Sequence, residues 1–238
     1  MVTPVLTVAA DRDLVERQLA DGLLMCPECG TGVLGGHGWV PSRWLRRGDG
    51  RVVLLKAHAT GPEKASGTVA DGLRRGRCKG CGVTHVLAPP QVLFRRLDET
   101  SVIGEVLAAR AGGRGYRAIT GLLGRAAAGT VGLAAELAMV RRCVGRFTVN
   151  AGRLRAAFTA LVHQVDVSPP VVTSGRGAVA EAVSAVGEAA AAVRRLLGTA
   201  VAAVSPWEVA AAVSHGRLLA VSPPPRLFST SRHLEPAV

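Results

Sequence analysis

Aromatic residues make up only 3% of this 238-residue chain. A core built from stacked rings is thereby excluded, and packing must come from Leu, Val and Ala. Lysine is nearly absent. Lys56, Lys64 and Lys79 are the only three, so 26 of the 29 basic residues are arginine. Long apolar runs are missing as well. The most apolar late region, 178–204, is broken by Glu181, Glu188, Arg194 and Arg195, whereas a membrane span needs about 20 apolar residues. The opening MVTPVLTVAA has no basic start, and Asp11-Arg12-Asp13 follow soon after. That is not the pattern of a secretory signal. The expectation is a cytoplasmic, nucleoid-associated protein with no membrane partner.

Recognisable catalytic motifs are also lacking. The sequence shows no Walker loop, no G-x-S-x-G and no His-rich metal motif. None of the 17 acidic residues ends a convincing core strand, as a two-metal nuclease or transposase site would need. The chain reads as non-enzymatic, without a small-molecule substrate.

What the chain does have is positive charge. Its formal net charge is +12. Such an excess favours polyanions, nucleic acid before anionic membrane. Arginine adds forked contacts to phosphate and to guanine edges. Hydrophobic residues amount to 48%, enough to pack a core through most of the length.

Four of the five cysteines fall in two matched pairs. Cys26-Pro-Glu-Cys29-Gly30 is echoed by Cys78-Lys-Gly-Cys81-Gly82. A lone C-x-x-C leaves redox chemistry open, but a thioredoxin-like motif belongs in a βαβ context, which neither pair has. Two such knuckles on separate hairpins are what a zinc ribbon needs. Four thiolates can hold one Zn²⁺ tetrahedrally at about 2.3 Å, and the trailing glycine allows a tight turn with amide N–H groups aimed at sulfur. The ligand set is Cys26, Cys29, Cys78 and Cys81, for one structural Zn²⁺. A full set of protein thiolates leaves no open position for catalysis. An inserted basic hairpin or loop accounts for the long gap between pairs. His37, His58 and His85 are not needed as ligands, and Cys143 reads as a small buried hydrophobe.

Asp98–Val131 has the grammar of a helix-turn-helix. Thr100 or Ser101 can cap a first helix to about Ala111, facing inward with Ile103, Val106, Leu107 and the stem of Arg110. GGRG breaks the chain. Tyr116–Leu123 makes a second helix with Ile119, Leu122 and Leu123 inward, and Gly124 suits the turn. A third element from near Ala127 would enter the major groove, with Thr130 in its first half and Arg141, Arg142 and Arg146 along it or its continuation. Arg114, Tyr116, Arg117 and Arg125 are placed to touch the DNA backbone.

Farther on, a stripe of Val179, Val183, Val186, Ala190, Val193 and Leu197 steps by threes and fours. It suits packing on the same chain, or the seam of a homodimer. Ser205-Pro-Trp-Glu208 is a helix start with a capping box, and Trp207 reads as a core anchor. The expected fold is mainly α with a small N-terminal β zinc ribbon, a helix-turn-helix three-helix core and C-terminal helices. The boundaries are 1–97 for the ribbon, 98–163 for the helix-turn-helix, 164–177 for a linker, 178–220 for a helical segment and 221–238 for a disordered tail.

The segments MCPECG, RCKGCGVTHVLAP, VIGEVLAARAGGRGYRAITGLLGR, VRRCVGRF, GRLRAAFTAL, SPWEVAAAV and GRLLA together resemble a family of uncharacterised bacterial zinc-ribbon/helix-turn-helix proteins. Their layout is similar to the N-terminal region of transposases that carry a zinc ribbon before a helix-turn-helix. The resemblance implies sequence-specific DNA binding in a regulatory or mobile-element setting, and brings no catalytic residues. The competing expectation is an adaptor whose ribbon binds a protein partner.

Overall fold

A computed structural model describes residues 5–8, 11–57, 69–93, 96–123, 132–165, 177–198, 204–216 and 218–219. The described residues form a mixed α/β fold, mostly helical, with two small sheets. The strands are β1 (Val5–Thr7), β2 (Leu34–Trp39), β3 (Arg43–Arg46), β4 (Val52–Lys56), β5 (Val69–Asp71), β6 (Arg74–Cys78) and β7 (Thr84–Ala88). The helices are α1 (Arg12–Ala20), α2 (Thr100–Ala111), α3 (Tyr116–Leu123), α4 (Leu133–Val165), α5 (Ala178–Leu197) and α6 (Pro206–Val213).

The first sheet runs β1-β7-β6-β2. Its hairpin β6–β7 is antiparallel, β2 pairs antiparallel with β6, and β1 lies parallel to β7. Helix α1 starts where Asp11 accepts from the N–H groups of Asp13 and Leu14, a standard N-cap. Its Val15 and Leu19 pack with Leu34, Leu87, Cys26 and Cys78. The chain leaves α1 through Gly22 at φ +68°, which only glycine adopts without steric cost.

The expected insert between the cysteine pairs builds the second sheet, β3-β4-β5. Strands β3 and β4 form an antiparallel hairpin, and β5 adds in parallel. Leu45, Leu55 and Leu73 pack with Ala88 and Val92 beneath it. Its arginines are largely matched to carboxylates. Arg46 meets Asp98 at 2.9 Å, Arg47 meets Glu99 at 3.1 Å, and Arg51 meets Asp49 at 2.7 Å.

The helical part has one continuous buried cluster, reaching from Leu93 through Phe147, Leu154 and Phe158 to Leu218 and Leu219. Helix α4 is its axis. Phe147, Leu154 and Phe158 are at most 1% exposed, and each such side chain contributes about 1.5–3 kcal/mol on burial. Helix α5 packs along α4 with Ala182, Ala185, Val186, Ala189, Ala190 and Ala192 buried. The buried face is therefore richer in alanine than the expected valine stripe, and Leu197 is exposed. Alanine lets the two backbones come close. Helix α6 has the expected start. Ser205 Oγ accepts from Glu208 N–H at 3.1 Å, and Glu208 accepts from Ser205 N–H at 2.9 Å. The other carboxylate oxygen of Glu208 takes a 2.7 Å bond from Gln91, which ties this helix to the end of the β part. Trp207 packs edge-on to Phe147, with ring centroids 6.5 Å apart. The slot for its indole is Gly104, where a Cβ would lie 2.1 Å from the ring.

Two local expectations need correction. Helix α2 has Glu99 at its N-cap with no side-chain cap bond. Thr100 instead donates to the Pro90 carbonyl at 2.7 Å, so its hydroxyl anchors the preceding loop. Leu122 is 56% exposed rather than inward, because the buried face of α3 is set by Ile119 and Thr120 with Leu123 partly covered. The next described helix after α3 begins at Leu133. The expected start near Ala127 and the turn at Gly124 lie outside the described residues, as do the 221–238 tail and, between its ends, the 164–177 linker.

Candidate metal centre and arginine surface

The two knuckles are superposable in their logic. In the first, Gly30 N–H donates to the Cys26 carbonyl at 2.9 Å with Gly30 at φ +73°. In the second, Gly82 N–H donates to the Cys78 carbonyl at 3.1 Å with Gly82 at φ +74°. Each glycine takes the left-handed turn that brings the chain back under its own thiols. The Met25–Val33 bridge closes the first knuckle, and the β6–β7 hairpin closes the second. Pairing of β2 with β6 then brings the two face to face, with Leu34 opposite Cys78.

The result is a cluster in which the sulfurs of Cys26, Cys29, Cys78 and Cys81 all lie within 4.8 Å of one another. Cys26 and Cys81 are 3.7 Å apart, as are Cys29 and Cys78. A tetrahedral ion with bonds of about 2.3 Å requires sulfur–sulfur edges of roughly 3.8 Å. The four thiols therefore fit one thiophilic ion, and a structural metal is the chemistry this donor set supports. All four sequence-expected ligands are brought together.

Backbone amides point into the cluster as the glycine spacing implies. Gly32 N–H donates to Cys29 sulfur at 3.3 Å, Gly80 to Cys78 at 3.3 Å, and Cys81 to Cys78 at 3.4 Å. These donors favour thiolate. The N–H groups of Thr31 and Gly32 hold the Cys29 thiol down at about 6. That of Cys81 draws Cys78 down. Burial pushes the Cys26 thiol up to about 12.

Two contributors were not legible in the sequence. His85 is fully buried, and its Nε2 lies 3.2 Å from Cys26 sulfur. A histidine in that place can donate to a ligating sulfur and orient it. Gly32 is the second. A Cβ there would sit 2.4 Å from Cys78 sulfur, so only glycine leaves room for the ligand. His37 is exposed at the surface, and His58 lies outside the described residues. Cys143 is 2% exposed and stands 3.6 Å from the Met139 sulfur. Burial pushes its thiol up to about 11, which makes it a poor nucleophile.

The second feature is arginine on the helical part. Tyr116 opens α3 with its ring in reach of two guanidinium groups, Arg110 from α2 at 5.3 Å and Arg141 from α4 at 6.0 Å. These cation–π contacts pull three helices' worth of charge to one place. Arg110 also donates to the Arg114 carbonyl at 3.2 Å. Arg114 and Arg117 are exposed beside them. Arg110 is half-buried, and its guanidinium adds the ring contact to the stem packing expected from the sequence. Arg125 and Thr130 lie outside the described residues.

Arg141, Arg142 and Arg146 are all exposed on α4. This helix carries a single acid, Glu136, which is buried. Near Arg142 and Arg146 lies Arg96, whose guanidinium is pushed down first by burial and then by the positive fields of Arg146 and Arg142. Within the same exposed arc stand Gly145 and Gly152. Nothing lies within 4 Å of a Cβ built on either, so the fold does not require glycine there. Each weakens the helix by about 1 kcal/mol relative to alanine.

By contrast, several arginines of the β part are matched within it. Arg12 and Arg74 both contact the Trp39 ring, with their guanidinium carbons 4.5 and 5.0 Å from its centroid. They pair with Asp71 at 3.2 Å and Glu16 at 2.8 Å. Among the described residues, no helix is long and apolar enough to cross a membrane. Set beside known protein families, characterised proteins and solved structures, the chain matches none.

Proposed function

We propose that the chain is a non-catalytic DNA-binding protein, with Zn²⁺ held by Cys26, Cys29, Cys78 and Cys81 as a structural staple. The observation that carries the DNA reading is the meeting of Arg110 and Arg141 on the Tyr116 ring, with Arg114 and Arg117 exposed within two residues of it in the chain, in a chain of net charge +12. Clustered exposed guanidinium groups repel one another, and phosphate is the counter-charge that relieves them. Zinc is favoured by four thiolates in a tetrahedron, which select a soft ion without redox demands. The metal folds the β part, and the helices carry the contact with DNA. A helix-turn-helix built on α2 and α3 is compatible with this reading.

Binding of metal-loaded protein to a fluorescent 30-base-pair duplex is the direct test. Saturable binding at low salt, lost steeply as salt rises, is expected. No binding at low salt overturns the proposal. One observation favours the adaptor reading as a second choice. Trp44 stands 54% exposed on β3 with Val52, 41% exposed, on the neighbouring strand. An exposed tryptophan on a sheet suits a protein partner. Failure of DNA binding, with specific protein capture abolished by Trp44→Ala, would establish the adaptor instead.

A further inference from the structure

Helix α4 is 33 residues long, far longer than a compact reading helix requires. Its buried side is set by Cys143, Phe147, Asn150, Ala151, Leu154 and Phe158. The opposite side is exposed from Arg141 to Ala156 and bears Arg142, Arg146 and Arg153. At 3.6 residues per turn, those three arginines fall along one edge of the exposed arc and Arg141 along the other. Between the two edges lie Gly145, Val149, Gly152 and Ala156, all exposed. Among the described residues, no carboxylate pairs with Arg141, Arg142, Arg146 or Arg153.

From this arrangement we infer that the middle of α4, from Arg141 to Arg153, is the surface that seats against the phosphate backbones of double-stranded DNA, lying in the major groove with its small residues inward. The inference rests on the DNA reading above and names the element that performs it. Arg141–Arg153 spans about 18 Å of helix axis. The major groove is about 12 Å wide and admits a helix. Gly145 and Gly152 remove side chains from the half of the face next to Arg141, so the helix can sit deeper there than one lined by large residues. Arginines on both edges then meet the phosphates of both strands. A strip of Gly, Val and Ala offers few groups that read base edges, so recognition through this face depends on backbone charge and groove shape more than on sequence.

Charge decides against a second copy of the chain as the occupant. Two such faces pressed together would bring eight arginines into contact with no acid between them. Duplex DNA instead presents one negative charge about every 1.7 Å.

The test compares full-length metal-loaded protein with Arg142→Ala/Arg146→Ala/Arg153→Ala and with Gly145→Leu/Gly152→Leu. Anisotropy of a 20-base-pair duplex is titrated across potassium chloride concentrations, and far-ultraviolet circular dichroism checks that the helix is retained. Loss of three phosphate contacts should reduce the slope of log K against log salt by about 2.7. The double leucine variant should bind at least tenfold more weakly at every salt. Wild-type affinities for unrelated sequences should agree within about tenfold, set against specific factors of about 10³ or more. If wild type binds no DNA, the DNA reading itself falls. If wild type binds and the triple variant keeps its slope, that reading stands and the assignment to α4 is overturned. A double leucine variant that changes only its sedimentation behaviour, with DNA affinity intact, assigns the face to self-association and overturns the inference as well.

Discussion

His85 Nε2 and Cys26 Sγ lie 3.2 Å apart, both side chains buried beneath the knuckles. The imidazole reaches this ligand from the buried side. When metal is bound, a donor at this distance stabilises the thiolate and fixes its direction. His85→Phe keeps the volume and loses the donor, and should weaken metal affinity by about 10–100-fold. His85→Gln retains an N–H donor and should fall between the two. Competition with a chromophoric chelator measures all three. Equal affinity across the series contradicts the assigned role.

Gly32 and Gly80 make a matched pair for a second prediction. A Cβ at Gly32 would fall 2.4 Å from Cys78 sulfur, whereas one at Gly80 would meet nothing closer than 3.4 Å. Gly32→Ala must displace a ligand and should destabilise the metal-loaded protein by about 1–3 kcal/mol. Gly80→Ala should be close to neutral. Urea unfolding followed by tryptophan fluorescence separates them. Equal effects would mean that the crowding at Gly32 has no energetic consequence.

Gly104 and Trp207 couple two ends of the helical part. An added methyl at Gly104 would meet the indole ring at 2.1 Å, so Gly104→Ala should cost about 1–3 kcal/mol. In a Trp207→Ala background the obstacle is gone and most of that cost should vanish. The coupling energy from the double-mutant cycle should therefore be about 0.5–3 kcal/mol. Additive effects would show that the ring does not occupy this slot.

In the moments after the metal is stripped, before the knuckles unfold, thiol reactivity follows from the local fields. Backbone N–H donors hold Cys29 at about 6, and burial pushes Cys26 to about 12. The thiolate is the reactive form. Cys29 is thus ionised above about pH 6 and should be alkylated first at pH 7, with Cys26 among the last. The folded form of Cys29 ionises below its unfolded value, so its contribution to stability is present at alkaline pH. It is lost as pH falls through about 6. Mass spectrometry of peptides after timed iodoacetamide labelling reads the order. Preferential labelling of Cys26 would contradict it.

The metal knuckles were legible because the information is local. Two cysteines, a two-residue spacer and a glycine define the turn by themselves, and φ near +73° at Gly30 and Gly82 follows from that. The start of α6 was legible for the same reason, since Ser205 and Glu208 satisfy each other within one turn. What was hidden depends on distance along the chain. Nothing near His85 announces that strand pairing will place it against Cys26, 59 residues earlier. Gly104 looks like a helix defect until Trp207 arrives from the far end. The arginines of 43–77 read as a basic surface, but Asp98 and Glu99 come from a different segment to neutralise Arg46 and Arg47. Charge counted along a sequence cannot tell an ion pair from a free guanidinium.

The central claim is that Cys26, Cys29, Cys78 and Cys81 form one closed metal staple on which the β part depends. Native mass spectrometry of protein purified without chelator tests it most directly. One zinc per chain is expected, lost together with ordered β structure in Cys26→Ser. A metal-free mass for the folded wild-type chain, or full zinc retention in Cys26→Ser, would contradict the account.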